Sequence, residues 1–160
     1  MIQVAVVTVS DSSVAGTRED RSGPALAERV AALGWSLRTV ELVPDEQDQI
    51  AAKLRQLADS GQVSVILTTG GTGVALRDVT PEATRGVIER EIPGLAELMR
   101  AEGRKFTPLS VLSRAVAGVR GRTLIVNLPG SPKGAVQSFD AIAQLVPHLV
   151  DLLEGRTSHG

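Results

Sequence analysis

Residues 65–84 read VILTTGGTGVALRDVTPEAT, from Val65 to Thr84, and this stretch decides the fold. The apolar run Val65-Ile66-Leu67 predicts a buried strand. It enters a loop with glycine at 70, 71 and 73. Glycine allows left-handed backbone and close approach, so such a loop can turn its N–H groups toward an anion. Thr80 suits a helix N-cap and Pro81 the first helical position. Asp78 thus falls between a glycine cradle and a helix start. A carboxylate beside a phosphate site points to magnesium. The alternative is a tight strand-to-helix turn in which Asp78 is only a turn residue; a lone GGTG, a motif with many false matches, favours that turn, and the surrounding residues have to shift the balance. Two known fingerprints are absent. There is no G-x-x-x-x-G-K-[ST], and Leu76 stands where a dinucleotide motif needs its third glycine.

Outward from this loop, strands and helices alternate. Residues 2–9, 36–43, 63–68 and 122–128 read as strands, and 22–33, 46–59, 82–91 and 94–101 as helices. Ser22 and Asp45 are candidate caps. Ser110 can start a helix through Ala117, with Gly118 and Gly121 marking a turn. A last amphipathic helix covers 134–153, kinked or broken at Pro147. The alternation predicts a three-layer α/β/α fold, its mostly parallel sheet flanked by helices on both faces. Residues 1–154 form one expected domain and 155–160 a short frayed tail.

Composition narrows the function. The core must be aliphatic, since aromatics are 2% of 160 residues. A net charge of −1 argues against nucleic-acid binding. With no cysteine there is no disulfide, thiol nucleophile or thiolate metal site. No run reaches membrane-spanning length and MIQVAVVTVSD reads as a strand rather than a leader, so the expected location is the cytoplasm, with no membrane partner.

In doubly wound folds ligands bind at the carboxyl ends of the strands. Here those ends carry Ser10-Asp11, Pro44-Asp45, Gly70 to Asp78, and Pro129-Gly130-Ser131-Pro132-Lys133. Asp45 reads equally as a helix cap or a site acid. Lys133, Arg104 and Lys105 read as surface cations or phosphate ligands. His148 and His159 receive no role, and Trp35 reads as packing.

TTGGTG with RDVTPEAT, REIPGLAELMR, LSRAVAG and NLPGSPKGA closely resembles the molybdopterin-adenylyltransferase family (MogA/MoaB-like, including the G domain of gephyrin-type proteins). The likeness runs from VTVSDS to the final helix. It implies molybdenum cofactor biosynthesis, with magnesium as cofactor and ATP and molybdopterin as substrates. The products implied are adenylyl-molybdopterin and pyrophosphate. It also implies a homotrimer and hand-over to a molybdate-inserting enzyme. By this resemblance Asp78 and Asp45 are the catalytic acids and magnesium ligands. Gly70, Gly71, Thr72, Gly73, Pro129, Gly130 and Ser131 would line the nucleotide site, and Ser10, Asp11, Ser113 and Arg114 the pterin side. The chain departs from many members in having Leu76 for proline and an extra Gly134. A binding-only relative of the same pathway, or a nucleotide-binding protein with another acceptor, are the competing expectations.

Overall fold

The computed structural model describes residues 1–156. The chain runs β1 (Gln3–Val9), α1 (Asp11–Val14), α2 (Ser22–Ala32), β2 (Ser36–Val43), α3 (Gln47–Asp59), β3 (Val65–Thr69) and α4 (Thr80–Arg85). There follow β4 (Arg90–Glu91), α5 (Pro93–Gly103), a 3₁₀ turn (Pro108–Leu112), β5 (Ala117–Arg120) and β6 (Thr123–Leu128). The chain closes with α6 (Pro132–Ile142), a second 3₁₀ turn (Ala143–Leu145) and α7 (Val146–Leu153).

One sheet carries the order β2-β1-β3-β6-β5-β4. The first four in that order are mutually parallel, and β5 runs antiparallel to both β6 and β4. β1, β3 and β6 are buried on both faces, as their continuous apolar runs require. Alternate side chains feed two cores. Val4, Val6, Val65, Leu67, Leu124 and Val126 pack with α2, α5, α6 and α7. Ala5, Val7, Ile66 and Ile125 pack with α3 and α4. The three layers expected from the sequence are present.

The local departures have physical reasons. The helix expected over 82–91 stops at Arg85, capped by Gly86, and Arg90–Glu91 instead pairs with β5. The helix expected from Ser110 through Ala117 is a 3₁₀ turn capped by Thr107, followed by β5. Gly118 lies in that strand rather than in a turn. A side chain there would come within 2.6 Å of the Arg90 carbonyl oxygen. The sheet therefore has six strands where four were expected, because two- and four-residue strands are too short to show a period. The last helix breaks at Ala143–Leu145, and Pro147 sits in the first turn of α7, where its missing N–H costs no bond.

Three expected caps are made differently. Ser22 lies inside the first turn of α2, and Asp20 accepts from the Gly23 N–H at 3.0 Å. Asp45 makes no cap bond to α3. Thr80 begins α4 instead of capping it. Leu153 ends α7, and residues 157–160 of the expected tail lie outside the described residues.

Candidate active site at the strand ends

β1 has β2 on one side and β3 on the other, so the connections leaving their carboxyl ends diverge. This switch point is where open α/β sheets leave a crevice. A cleft of about 490 Å³ opens there. Of the residues singled out in the sequence, Ser10, Asp11, Asp45, Gly70, Gly71, Asp78, Gly130 and Ser131 line it.

The glycine loop is fixed from several sides. Gly70 and Gly71 have φ of 105° and 70°, backbone that side chains disfavour. A Cβ at Gly70 would sit 2.3 Å from the Val9 carbonyl oxygen. The Thr80 hydroxyl donates to the Gly70 carbonyl at 2.9 Å, and its N–H to that of Gly71 at 3.1 Å. Thr69 donates to the Pro129 carbonyl at 2.6 Å, tying the β3 end to the β6 end. There Ser131 caps α6, accepting from the Gly134 N–H at 3.1 Å. The N-terminus of α6, with Gly130, Ser131 and Pro132 on the wall, gives the cleft a partial positive end suited to an anion.

The acids form a second layer. Asp11 and Asp45 are joined reciprocally: the Asp11 N–H donates to Asp45 Oδ2 at 3.0 Å and the Asp45 N–H to Asp11 Oδ1 at 2.9 Å. Arg77 completes the tie, donating to Asp11 Oδ2 at 2.7 Å and to Glu46 Oε1 at 3.0 Å. Arg77 holds the Asp11 carboxyl below its ordinary range. Burial, reinforced by the charges of Asp11 and Asp78, raises Asp45 above its ordinary value. Asp78 Oδ2 accepts from the Ala75 N–H at 3.0 Å. Asp45 and Asp78 each keep Oδ1 free of any hydrogen bond from the described residues.

No group of three or more metal-ligating side chains comes together among the described residues. Two carboxylates with an open oxygen each nonetheless fit a hard cation that takes its other ligands from phosphate and water. The cleft wall carries Asp11, Glu19, Asp20, Asp45 and Asp78 against Arg18 and Arg21. A polyphosphate would enter so acidic a cleft only with its charge neutralised.

Thr72, Gly73 and Pro129 do not line the cleft. Ser113 and Arg114 do not reach the cleft; Arg114 pairs with Glu82 at 2.7 Å. The sequence offers loops 12–21 and 102–109 as alternatives for closing the site, and it is the first that lines the cleft, whereas Thr8 and Asp20 are not singled out there. Asp20 accepts from the Thr8 hydroxyl at 2.9 Å and thereby ties residues 18–21 against the cleft. Only the polar run Arg18 to Ser22 signalled this, and surface loops carry the same signal.

Fold and cleft define an α/β protein whose strand-end cleft combines a glycine loop, a helix N-terminus and carboxylates on one wall. Residues 5–148 match the family described as the probable molybdopterin binding domain. The molybdopterin adenylyltransferase of Helicobacter pylori strain J99 is 41% identical over 96% of this chain and 89% of its own length. That of Escherichia coli K12 is 38% identical over 96% and 86%. The crystal structure of the molybdopterin biosynthesis enzyme MoaB from Thermus thermophilus superposes with a TM-score of 0.91. It is 52% identical and covers 97% of this chain and 98% of that one. The chain belongs to the molybdopterin-binding family of molybdenum cofactor biosynthesis.

Proposed function

We propose that the protein is a molybdopterin adenylyltransferase that moves AMP from ATP to the phosphate of molybdopterin and releases pyrophosphate. The observation that carries this is the Asp45/Asp78 pair, with an open oxygen on each carboxylate, facing a cleft closed by a glycine loop and a helix N-terminus. The relatives' names supply the substrate. A phosphate oxygen of molybdopterin attacks the α-phosphorus of ATP, one P–O bond forms, the α–β bridge breaks, and pyrophosphate carries the electron pair away. The attacking phosphate is already an anion, so no strong general base is needed, and positioning with charge neutralisation suffices. Among the described residues that line the cleft there is no histidine.

Asp45 and Asp78 would hold magnesium, which when bound neutralises the polyphosphate. Gly70 and Gly71, with the cap region Gly130–Ser131, would receive the nucleotide; Ser10 and Asp11 face the same cleft from β1. Among the described residues no helix is long and apolar enough to cross a membrane. The setting proposed is the cytoplasm, with the product passed to a molybdate-inserting enzyme.

Anaerobic incubation with molybdopterin, ATP and magnesium tests the proposal. Equal, magnesium-dependent formation of adenylyl-molybdopterin and pyrophosphate is expected. Tight molybdopterin binding without either product would leave a binding protein.

A further inference from the structure

Arg114 sits between the first 3₁₀ turn and β5, outside the cleft, yet two nitrogens of its guanidinium are committed to carbonyls on the far side of the glycine loop and the third to α4. Nε donates to the Gly73 carbonyl at 2.7 Å, and one terminal nitrogen to the Asp78 carbonyl at 2.6 Å. Glu82 on α4 takes the remaining fork, at 2.7 and 3.3 Å. The Arg114 backbone N–H also donates to the Thr72 carbonyl at 2.8 Å. Three carbonyls of one loop, Thr72, Gly73 and Asp78, are therefore held by one residue. Gly73 bears directly on the acid: a Cβ there would lie 2.8 Å from Asp78 Oδ2. Moving Gly73 moves the floor against which the Asp78 carboxylate rests.

We infer that Arg114, anchored by Glu82, is a positioning residue that sets Asp78 against Asp45 and does not itself contact the pterin. A guanidinium has five N–H groups in a fixed planar fork. Here four hydrogen bonds saturate most of that fork on the protein itself. A lysine ammonium keeps the charge but cannot span both carbonyls and the carboxylate. The hold on the loop stands apart from the chemistry, and only the turnover readout rests on the adenylyl-transfer reading.

The test compares wild type with R114K, R114A and E82Q. It reads amide hydrogen exchange over residues 72–79 without ligand, molybdopterin affinity by fluorescence without nucleotide, and turnover across a magnesium series. R114K and E82Q are expected to speed exchange in the loop by about tenfold or more, a factor equivalent to about 1.4 kcal/mol of local opening. Molybdopterin affinity is expected to stay within about twofold. Turnover is expected to fall by roughly 100-fold, the scale of a 1 Å misplacement, with a higher magnesium requirement. Unchanged exchange in E82Q and R114K would overturn the inference, as would a loss of molybdopterin affinity that accounts for the whole loss of turnover. Should R114A fail to fold by circular dichroism, R114K and E82Q carry the decision. Wild type forming no product would defeat the adenylyl-transfer reading alone, leaving the exchange and affinity arms to decide on Arg114.

Discussion

Asp45 is a half-buried carboxylate with Asp11 and Asp78 for neighbours, and burial raises it above the ordinary 3.8. A raised acid favours the folded state while protonated and loses that contribution as pH climbs through its folded value. Asp45→Asn is therefore expected to raise the melting temperature at pH 7, with the gain disappearing below pH 3.8, while turnover is lost. A melting series from pH 3 to 8 checks this; an unchanged or lowered melting temperature at neutral pH would refute it. Asp11 has the opposite sign. Its carboxyl is lowered by Arg77, so its contribution is present above the ordinary 3.8 and disappears as pH falls through the lowered value. Asp78→Asn is expected to abolish turnover and leave the circular dichroism spectrum unchanged, since the Asn side-chain oxygen can still accept from the Ala75 N–H. Full activity in that variant would remove Asp78 from the chemistry. The acids themselves were visible in the sequence through their place after strands. Their mutual geometry was not, because the reciprocal Asp11–Asp45 bonds join residues 34 apart in sequence.

At the scale of elements, the strand-end loops are held by buried polar ties that propensity does not reveal. Asn127 on β6 accepts from the Val116 N–H at 3.0 Å and donates to Thr68 and Thr84 at 3.0 and 2.9 Å. It thereby joins β6, the start of β5, β3 and α4. Asn127→Ala orphans a buried N–H and two hydroxyls, and a loss of about 2–4 kcal/mol by urea unfolding is expected. Gly70→Ala places its Cβ against the Val9 backbone at φ 105°, where no side chain can swing aside, and should cost about 3 kcal/mol or more or prevent folding. A loss under about 1 kcal/mol would mean that the loop relaxes freely. The four long strands and the helices at 22–33, 46–59 and 94–101 were legible from apolar runs and punctuation alone. The short strands β4 and β5 were not. Arg90–Glu91 is exposed and charged, and its strand conformation comes from pairing with Gly118 and Val119.

Across the whole molecule, packing is nearly all aliphatic, with one aromatic pair, Trp35 and Phe139, meeting edge-on at 5.7 Å. Trp35 is accordingly packed, as the sequence suggested. Phe106, Leu109, Val111 and Leu112 around the first 3₁₀ turn stay exposed in the single chain. Sedimentation is expected to give a species about three times 16.8 kDa, and a stable monomer at micromolar concentration would reject the homotrimer. The order β2-β1-β3-β6-β5-β4 has a consequence for biogenesis. Among the described residues β6, the strand latest in sequence, occupies the interior of the sheet and is the only strand that pairs with both β3 and β5. A chain emerging from the ribosome can pair β1, β2 and β3 early, but the β4–β5 pair has no link to that ribbon until residue 128 is free. A chain truncated before Thr123 would thus lack the strand that joins the β2-β1-β3 ribbon to the β5-β4 pair, leaving the edge of β3 open to chaperones or to a neighbour.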